Sequence, residues 1–208
     1  MFGFSKEKKL EVAEAAPLAD EQTLVDQKKP SSPDHLKSGQ ILIRVIEPKD
    51  KEKCRELLKA HHASTAYADY AFSDDKFESH AAKIYAYPEN MVCLVAERAL
   101  ERDQNKAEPT TDQETEIIGL LWASAGSYAL SDELIFATCH IIAVHPVKLG
   151  RLSAVKTFML LIKAVKTWSK TRGADEVLVH VTTGTNLKAT DRLLRRSGAK
   201  TIGGGYVV

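Results

Sequence analysis

The chain has 208 residues, 44% of them hydrophobic, which suffices for one domain with a proper core and appendages. Its formal net charge of +1 implies no bulk attraction to nucleic acid or to acidic membranes. No apolar run reaches membrane-spanning length, and Met1 to Lys6 lacks the apolar core of a secretory signal, so a cytoplasmic setting is expected.

Residues 1–39 are polar, rich in lysine and acids, and end in KKPSSPDHLKSG. Such a segment has too little apolar surface to offset its ordering entropy by itself. It reads as an N-terminal arm that takes its order from a protein partner or an assembly, with Phe2 and Phe4 as apolar anchors. The domain proper is expected over 40–208. Its first strand, 41–46, stops at Glu47-Pro48. A helix over 51–62 follows, with Asp50 as N-cap and Cys54, Leu57 and Leu58 facing inward. The aromatic stretch AYADYAFS leads to a second helix over 75–85, and 91–96 is a strand. Residues 101–115 form a charged, proline-containing insertion expected at an exposed hairpin tip, and 116–124 is the partner strand.

Residues 135–144 are apolar and β-branched, the mark of a central strand, and they break at His145-Pro146. A short loop containing Gly150 opens a long amphipathic helix over 153–172, with Ser153 as its expected N-cap. Phe158, Leu161, Ile162, Val165 and Trp168 recur at three- and four-residue steps as one buried stripe. Lys156, Lys163, Lys166 and Lys170 lie mostly off it, and Gly173 ends the helix. A strand over 176–181, a helix over 187–196 and a glycine-rich strand over 200–208 complete the chain. Cys54, Cys93 and Cys139 sit in apolar segments without metal-ligand spacing, so they read as buried free thiols of a reducing compartment.

Strand, tight loop and helix N-terminus together make an anion site, because first-turn amides and the positive end of the helix dipole point at whatever rests on the loop. The same pattern is also an ordinary strand-to-helix connection of an α/β sheet.

Three stretches resemble the GCN5-related N-acetyltransferase (GNAT) superfamily. Ala143-Val144-His145-Pro146 running into Leu149-Gly150-x-Leu152-x-Ala154 is similar to its acyl-CoA loop. The segment from Lys166 through Trp168, Gly173 and Val177 is similar to its helix-to-strand passage. Asn186-x-x-Ala189, then Leu193-Leu194 and Ser197-Gly198-Ala199, is similar to its penultimate helix. The ending Ile202-Gly-Gly-Gly-Tyr-Val-Val resembles the acetyltransferase-type proteins of bacterial viruses. The resemblance implies a mixed α/β (α+β) fold, a mostly antiparallel central sheet flanked by helices, and acetyl-CoA as cofactor. Backbone amides of Ile142 and Val144 would meet the thioester. Leu149, Gly150, Arg151, Leu152, Ser153 and Ala154 would cradle the diphosphate, and Asn186 would hydrogen-bond the cofactor arm. Leu149 stands where the family has Arg or Gln, and Leu152 where it has a second glycine. Leu193 or Leu194 replaces a tyrosine commonly used as general acid.

Acyl transfer to an amine needs a base for the ammonium and an acid for the leaving thiolate. The candidate bases are His140 within the central strand and Glu133 before it, with His145 at the strand's end. Strand alternation puts Thr138, His140 and Ile142 on one face and Cys139, Ile141 and Ala143 on the other. His140 is a base facing the cleft or a core histidine, with His180 as its possible partner. Tyr128 and Tyr206 are candidate acids or plain packing. His61 and His62 suit a helix C-terminus better than a metal, and Tyr67, Tyr70 and Phe72 fall where the family covers its acceptor. Two functions remain open. One is an acyl-CoA-dependent N-acyltransferase acting on an amine, with no membrane or specific nucleic-acid partner. The other is a catalytically inactive protein of this fold held in an assembly by residues 1–39, such as a bacteriophage virion component.

Overall fold

The computed structural model describes residues 39–100, 114–145, 148–181 and 187–203, all within the unit Pro33–Val208. The expected arm, apart from Gly39, lies outside the described residues, as do Asn186 and Tyr206. Strand β1 (Ile41–Val45) leads through a single 3-10 turn into helix α1 (Lys51–His62), and α2 is Asp74–Ala86. Strands β2 (Met91–Ala99), β3 (Thr115–Tyr128) and β4 (Ser131–Val144) follow, then helix α3 (Arg151–Thr171), strand β5 (Glu176–Val179) and helix α4 (Leu187–Arg196).

The five strands form one sheet in the order β1-β2-β3-β4-β5. The first four pair antiparallel, and β5 joins β4 in parallel. The fold class is therefore the one expected, mixed and mostly antiparallel. Ala99 pairs with Thr115, the first residue of β3, and the rest of the expected 101–115 insertion, apart from Glu114, lies outside the described residues.

Strand β3 serves two cores, by alternation from Gly119 onward, with Ile118 the extra residue of a β-bulge where Ala96 pairs with Gly119 and Glu97 with Ile117. Ile118, Leu121 and Ala123 pack with Cys139 and with Leu161, Ile162 and Val165 of α3. Leu120 turns the other way, to Cys54 and Leu57 of α1 with Cys93, Val95 and Ala143. Fully burying one such Leu is worth about 1.5–3 kcal/mol, so the pattern fixes which helix lies on which face. Phe158 and Trp168 flank the α3 stripe, partly buried. All three cysteines are buried free thiols, and burial pushes Cys54 and Cys139 up to about 12, so neither is a nucleophile at neutral pH.

Several expectations are corrected. The long helix starts two residues earlier than expected, at Arg151, and Gly150 is its N-cap, in extended backbone with no side-chain cap bond. Ser153 lies inside the first turn, where its carbonyl accepts the Thr157 hydroxyl at 2.8 Å. Asp50 does precede α1, but its carboxylate caps no helical amide. It takes both terminal nitrogens of Arg44, at 2.6 and 3.0 Å, and the Glu47 amide at 2.8 Å. Residues 200–203 form no strand.

The simple alternation drawn through β4 also fails. Trp122 pairs with Ile141 and Ala123 with Cys139, so His140 is an extra residue, a β-bulge. Beyond it the faces exchange. Cys139 and Ile142 face α3, while Ile141 and Ala143 join the α1 core. His140 therefore does not share a face with Ile142.

Candidate functional site

Two features converge on the second half of β4. The first is an open edge. Strand β5 pairs with β4 only from Phe136 to Cys139, opposite Glu176 to Val179. From His140 to Val144 the β5 side of β4 has no strand partner among the described residues. The bulge at His140 marks the point where the pairing ends, and a bulge increases local twist. Backbone groups of Ile142 and Val144 thus lie along an edge of β4 that no described strand covers.

The second feature is the N-terminus of α3 at the end of that strand. The amides of Arg151, Leu152 and Ser153 find no partner among the described residues, and the first intrahelical bond runs from the Ala154 amide to the Gly150 carbonyl at 3.0 Å. A 21-residue helix aims its positive dipole end here. A Cβ at Gly150 would meet nothing within 4 Å, so the approach to these amides is open. The two leucines that depart from the family pattern do not block it. Leu149 is 8% exposed and packs into the α3 core, whereas Leu152 is 86% exposed, with its side chain in solvent. Arg151 and Lys148 are exposed beside the amides. His145 holds the turn, its Nδ1 accepting from the Lys148 amide at 3.2 Å and its own amide donating to Ile118 at 2.8 Å.

On the α1 and α2 face, the bulge presents His140 beside a polar and aromatic group. Its Nε2 lies 2.8 Å from Ser124 Oγ on β3. The Trp122 ring is 5.1 Å from His140 and 4.4 Å from His80 of α2. Trp122 Nε1 and His80 Nδ1 are buried atoms without a hydrogen-bond partner among the described residues. Partial burial, with His180 and His80 nearby, holds the His140 pKa below the ordinary histidine value. His180, just after β5, is thus close enough to interact electrostatically with His140. His140 is exposed and tied to a hydroxyl, not sealed in a core.

Glu133 is not part of this group. It is exposed near the β3–β4 hairpin, seven residues from His140, roughly 23 Å along the strand. Tyr128, also at that end, stacks edge-on against Phe136. Tyr67 and Tyr70 are exposed, and Phe72 lies between His62 and Phe77. His62 Nε2 is engaged with the Tyr70 carbonyl at 2.7 Å, and the described residues hold no cluster of metal-ligating groups. An open groove of about 550 Å³ between α1 and the β3–β4 ends, bordered by Glu52, Glu56, Glu116, His145 and Lys148, lies away from His140. Ser124, Trp122 and His80 carried no sequence signal. Only the β3–β4 register and the packing of α2 bring them to His140.

No protein-family model matches the chain, and no curated protein sequence does. Among solved structures, glucosamine-6-phosphate N-acetyltransferase from Arabidopsis thaliana is similar, with 15% identity, 81% of this chain and 97% of that chain covered, and a TM-score of 0.55. AAC(6')-Iy in complex with the bisubstrate analog CoA-S-monomethyl-acetylneamine gives 16%, 81%, 97% and 0.55. A GNAT family acetyltransferase of Staphylococcus aureus gives 14%, 81%, 97% and 0.51. The chain therefore has the fold of the GNAT acetyltransferases. No helix among the described residues is long and apolar enough to cross a membrane.

Proposed function

We propose that the protein is an acyl-CoA-dependent N-acyltransferase that moves an acetyl group to an amine. One observation carries this reading: the open β4 edge, the free first-turn amides of α3 and the His140–Ser124 pair all adjoin one five-residue stretch of β4. Amides from Arg151 to Ser153, with Lys148 and Arg151, bind the diphosphate. The β4 edge at Ile142 and Val144 orients the arm that runs from it. Acetyl-CoA, when bound, supplies the activated acyl group. With its proton on Nε2 donated to Ser124 Oγ, His140 has Nδ1 free to take a proton from the acceptor ammonium, directly or through water. Its lowered pKa keeps it neutral and able to do so near pH 7. Glu133 is too distant to share that role.

A second reading, a non-catalytic protein of this fold held in an assembly such as a virus particle through residues 1–39, is favoured by α4. Leu193 and Leu194 stand at the family's tyrosine position, and Leu194 is packed on the core. Titration calorimetry with acetyl-CoA, followed by a thiol-release assay over a panel of amines, separates the two. Micromolar binding with amine-dependent thiol release supports transfer. Absence of acetyl-CoA binding removes it in favour of the second reading.

A further inference from the structure

The whole-chain charge of +1 conceals a division. Residues 39–145 carry eleven Lys and Arg against eighteen Asp and Glu, a net charge of −7. Residues 148–203, which form α3, β5 and α4, carry twelve against three, a net charge of +9. Both helices belong to one side of the sheet. Leu194 of α4 packs on the same core as α3, and Lys166 Nζ donates to the Ser197 carbonyl at 3.2 Å.

The cations of α1 and α3 differ in their pairing, although Lys53, Lys76 and Lys83 on the first side have no ion pair among the described residues and Arg195 of α4 pairs with Asp191. On α1, Lys51, Arg55 and Lys59 are all paired with Glu52, Asp74 or Glu78. On α3, exposed Lys156, Lys163, Lys166 and Lys170 have no ion-pair partner among the described residues. They sit next to one another instead, Lys163 and Lys166 three apart, Lys166 and Lys170 four apart. Lys188, Arg192 and Arg196 of α4 repeat that four-residue spacing. Like charges so placed destabilise a helix. The helix dipole offsets this for Lys170 and Arg196 in the last turns and the Ser197 carbonyl for Lys166, which leaves the pattern at Lys156, Lys163 and Lys188 without a folding rationale.

The proposed cofactor does not explain it either. Lys163 is twelve residues from Arg151, about 18 Å down the helix axis, and Lys170 is farther still. A diphosphate on the first-turn amides cannot reach them. Lys156, Lys163 and Lys170 fall two turns apart on one outward stripe about 21 Å long, along which a nucleic-acid duplex presents one charge per about 1.7 Å.

We propose that the outer face of α3 and α4 binds the phosphate backbone of double-stranded nucleic acid without reading its sequence. A membrane would require apolar side chains among the cations, whereas the exposed large apolar residues of these helices, Leu152 and Leu187, stand at their N-terminal ends and none lies along the lysine stripe from Lys156 to Lys170. Single strands are held by stacking on exposed aromatics, and this helix offers only Phe158 and Trp168, both packed on the core. The surface is independent of acyl transfer.

The test is fluorescence anisotropy of the full chain with a 20-base-pair DNA duplex of arbitrary sequence, from 50 to 200 mM salt. The wild type should bind with Kd of about 10⁻⁴–10⁻⁶ M. The variant K156Q/K163Q/K166Q/K170Q should bind at least tenfold more weakly at 50 mM salt. Its log Kd against log salt slope should be shallower by about 3–4, at roughly 0.9 per lost contact. The charge reversal K163E/K170E, checked for folding by circular dichroism, should weaken binding further per site. No binding at 50 mM salt overturns the proposal, as does an unchanged slope in the glutamine variant. Tighter, lysine-dependent binding to phosphatidylserine vesicles or polyglutamate than to duplex also overturns it.

Discussion

Gly119 on β3 offers a direct test of how closely α3 is held to the sheet. It pairs with Val144 at the end of β4, beneath the early turns of the helix. A Cβ there would lie 2.9 Å from Thr157 Cγ2, 3.2 Å from the Ala143 carbonyl oxygen and 3.4 Å from Leu161 Cδ1. Carbon contacts settle at about 3.5–4.0 Å, so Thr157 would have to retreat by roughly 0.6–1.1 Å. It has nowhere to go, being fully buried with its hydroxyl bonded to Ser153. Overpacking of this kind costs about 1–3 kcal/mol, against which alanine recovers about 0.4–1 kcal/mol through the unfolded chain. Gly119→Ala should therefore be net destabilising, by about 1.3 kcal/mol at the middle of these ranges and at most about 2.6, or up to about 10 °C in Tm for a domain this size. Thr157→Ser removes the offending methyl but keeps the hydroxyl bond, so the double variant should recover part of the loss in a thermodynamic cycle. Chemical denaturation of the four proteins measures this. A neutral or stabilising Gly119→Ala, or strict additivity with Thr157→Ser, would refute the close approach. The same displacement moves the α3 N-terminus, so acetyl-CoA affinity should fall in Gly119→Ala as well.

Gly150→Asp should abolish acetyl-CoA binding in calorimetry by placing a carboxylate among the phosphates, while its melting temperature stays near wild type because nothing crowds that position. His140→Ala should lower kcat about 10²–10⁴-fold with acetyl-CoA affinity nearly unchanged; lost thermal stability with intact turnover would mark a structural histidine. Because the His140 pKa is lowered, its basic form persists below pH 6.5, so kcat/KM should hold at that pH and fall only on further acidification; an acid limb centred above pH 6.5 contradicts the assignment. Arg44→Met leaves Asp50 and Glu97 as two buried carboxylates and should cost about 3–5 kcal/mol at pH 7 by urea unfolding. Burial, the largest single effect, would raise both carboxyls. The Arg44 hydrogen bonds and charge, joined by the Glu47 amide at Asp50 and the Thr115 hydroxyl at Glu97, together outweigh it and hold their folded pKa values below the ordinary range. Their stabilisation is therefore present above roughly pH 4–5, the unfolded carboxyl values, and is lost as pH falls through the folded ones; the Arg44→Met deficit should shrink on acidification.

Much of the architecture was legible because periodicity reports burial. The stripe on α3 places three side chains in the core and two at its edge, and the apolar runs of β2, β3 and β4 are the inner strands. Alternation failed at His140 for a defined reason. A bulge is a property of two strands in register, and nothing in the residues 135–144 says that Trp122 and Ala123 will face Ile141 and Cys139. Helix starts were misplaced for a similar reason. Ser153 has the right chemistry for a cap, yet the backbone at Gly150 turns extended three residues earlier and the hydroxyl-bearing residue falls inside the helix.

The departures at the loop show a deeper limit. A leucine at 149 or 152 counts against an anion site only if its side chain points at the anion. Here one side chain is buried in the core and the other is in solvent, and the groups left to meet a ligand are main-chain amides. Main-chain chemistry asks of a side chain only that it stay out of the way, a requirement many residues satisfy. The open edge of β4 is likewise written in where β5 stops, not in which residues line it. A site built this way can keep its geometry while its sequence drifts, which fits a fold shared at 14–16% identity with proteins that no family model connects to this chain. The side chains that would decide catalysis, His140 with Ser124, stand where no pattern predicts them, so the decisive measurement is turnover in the His140 variant, not a closer alignment of the loop.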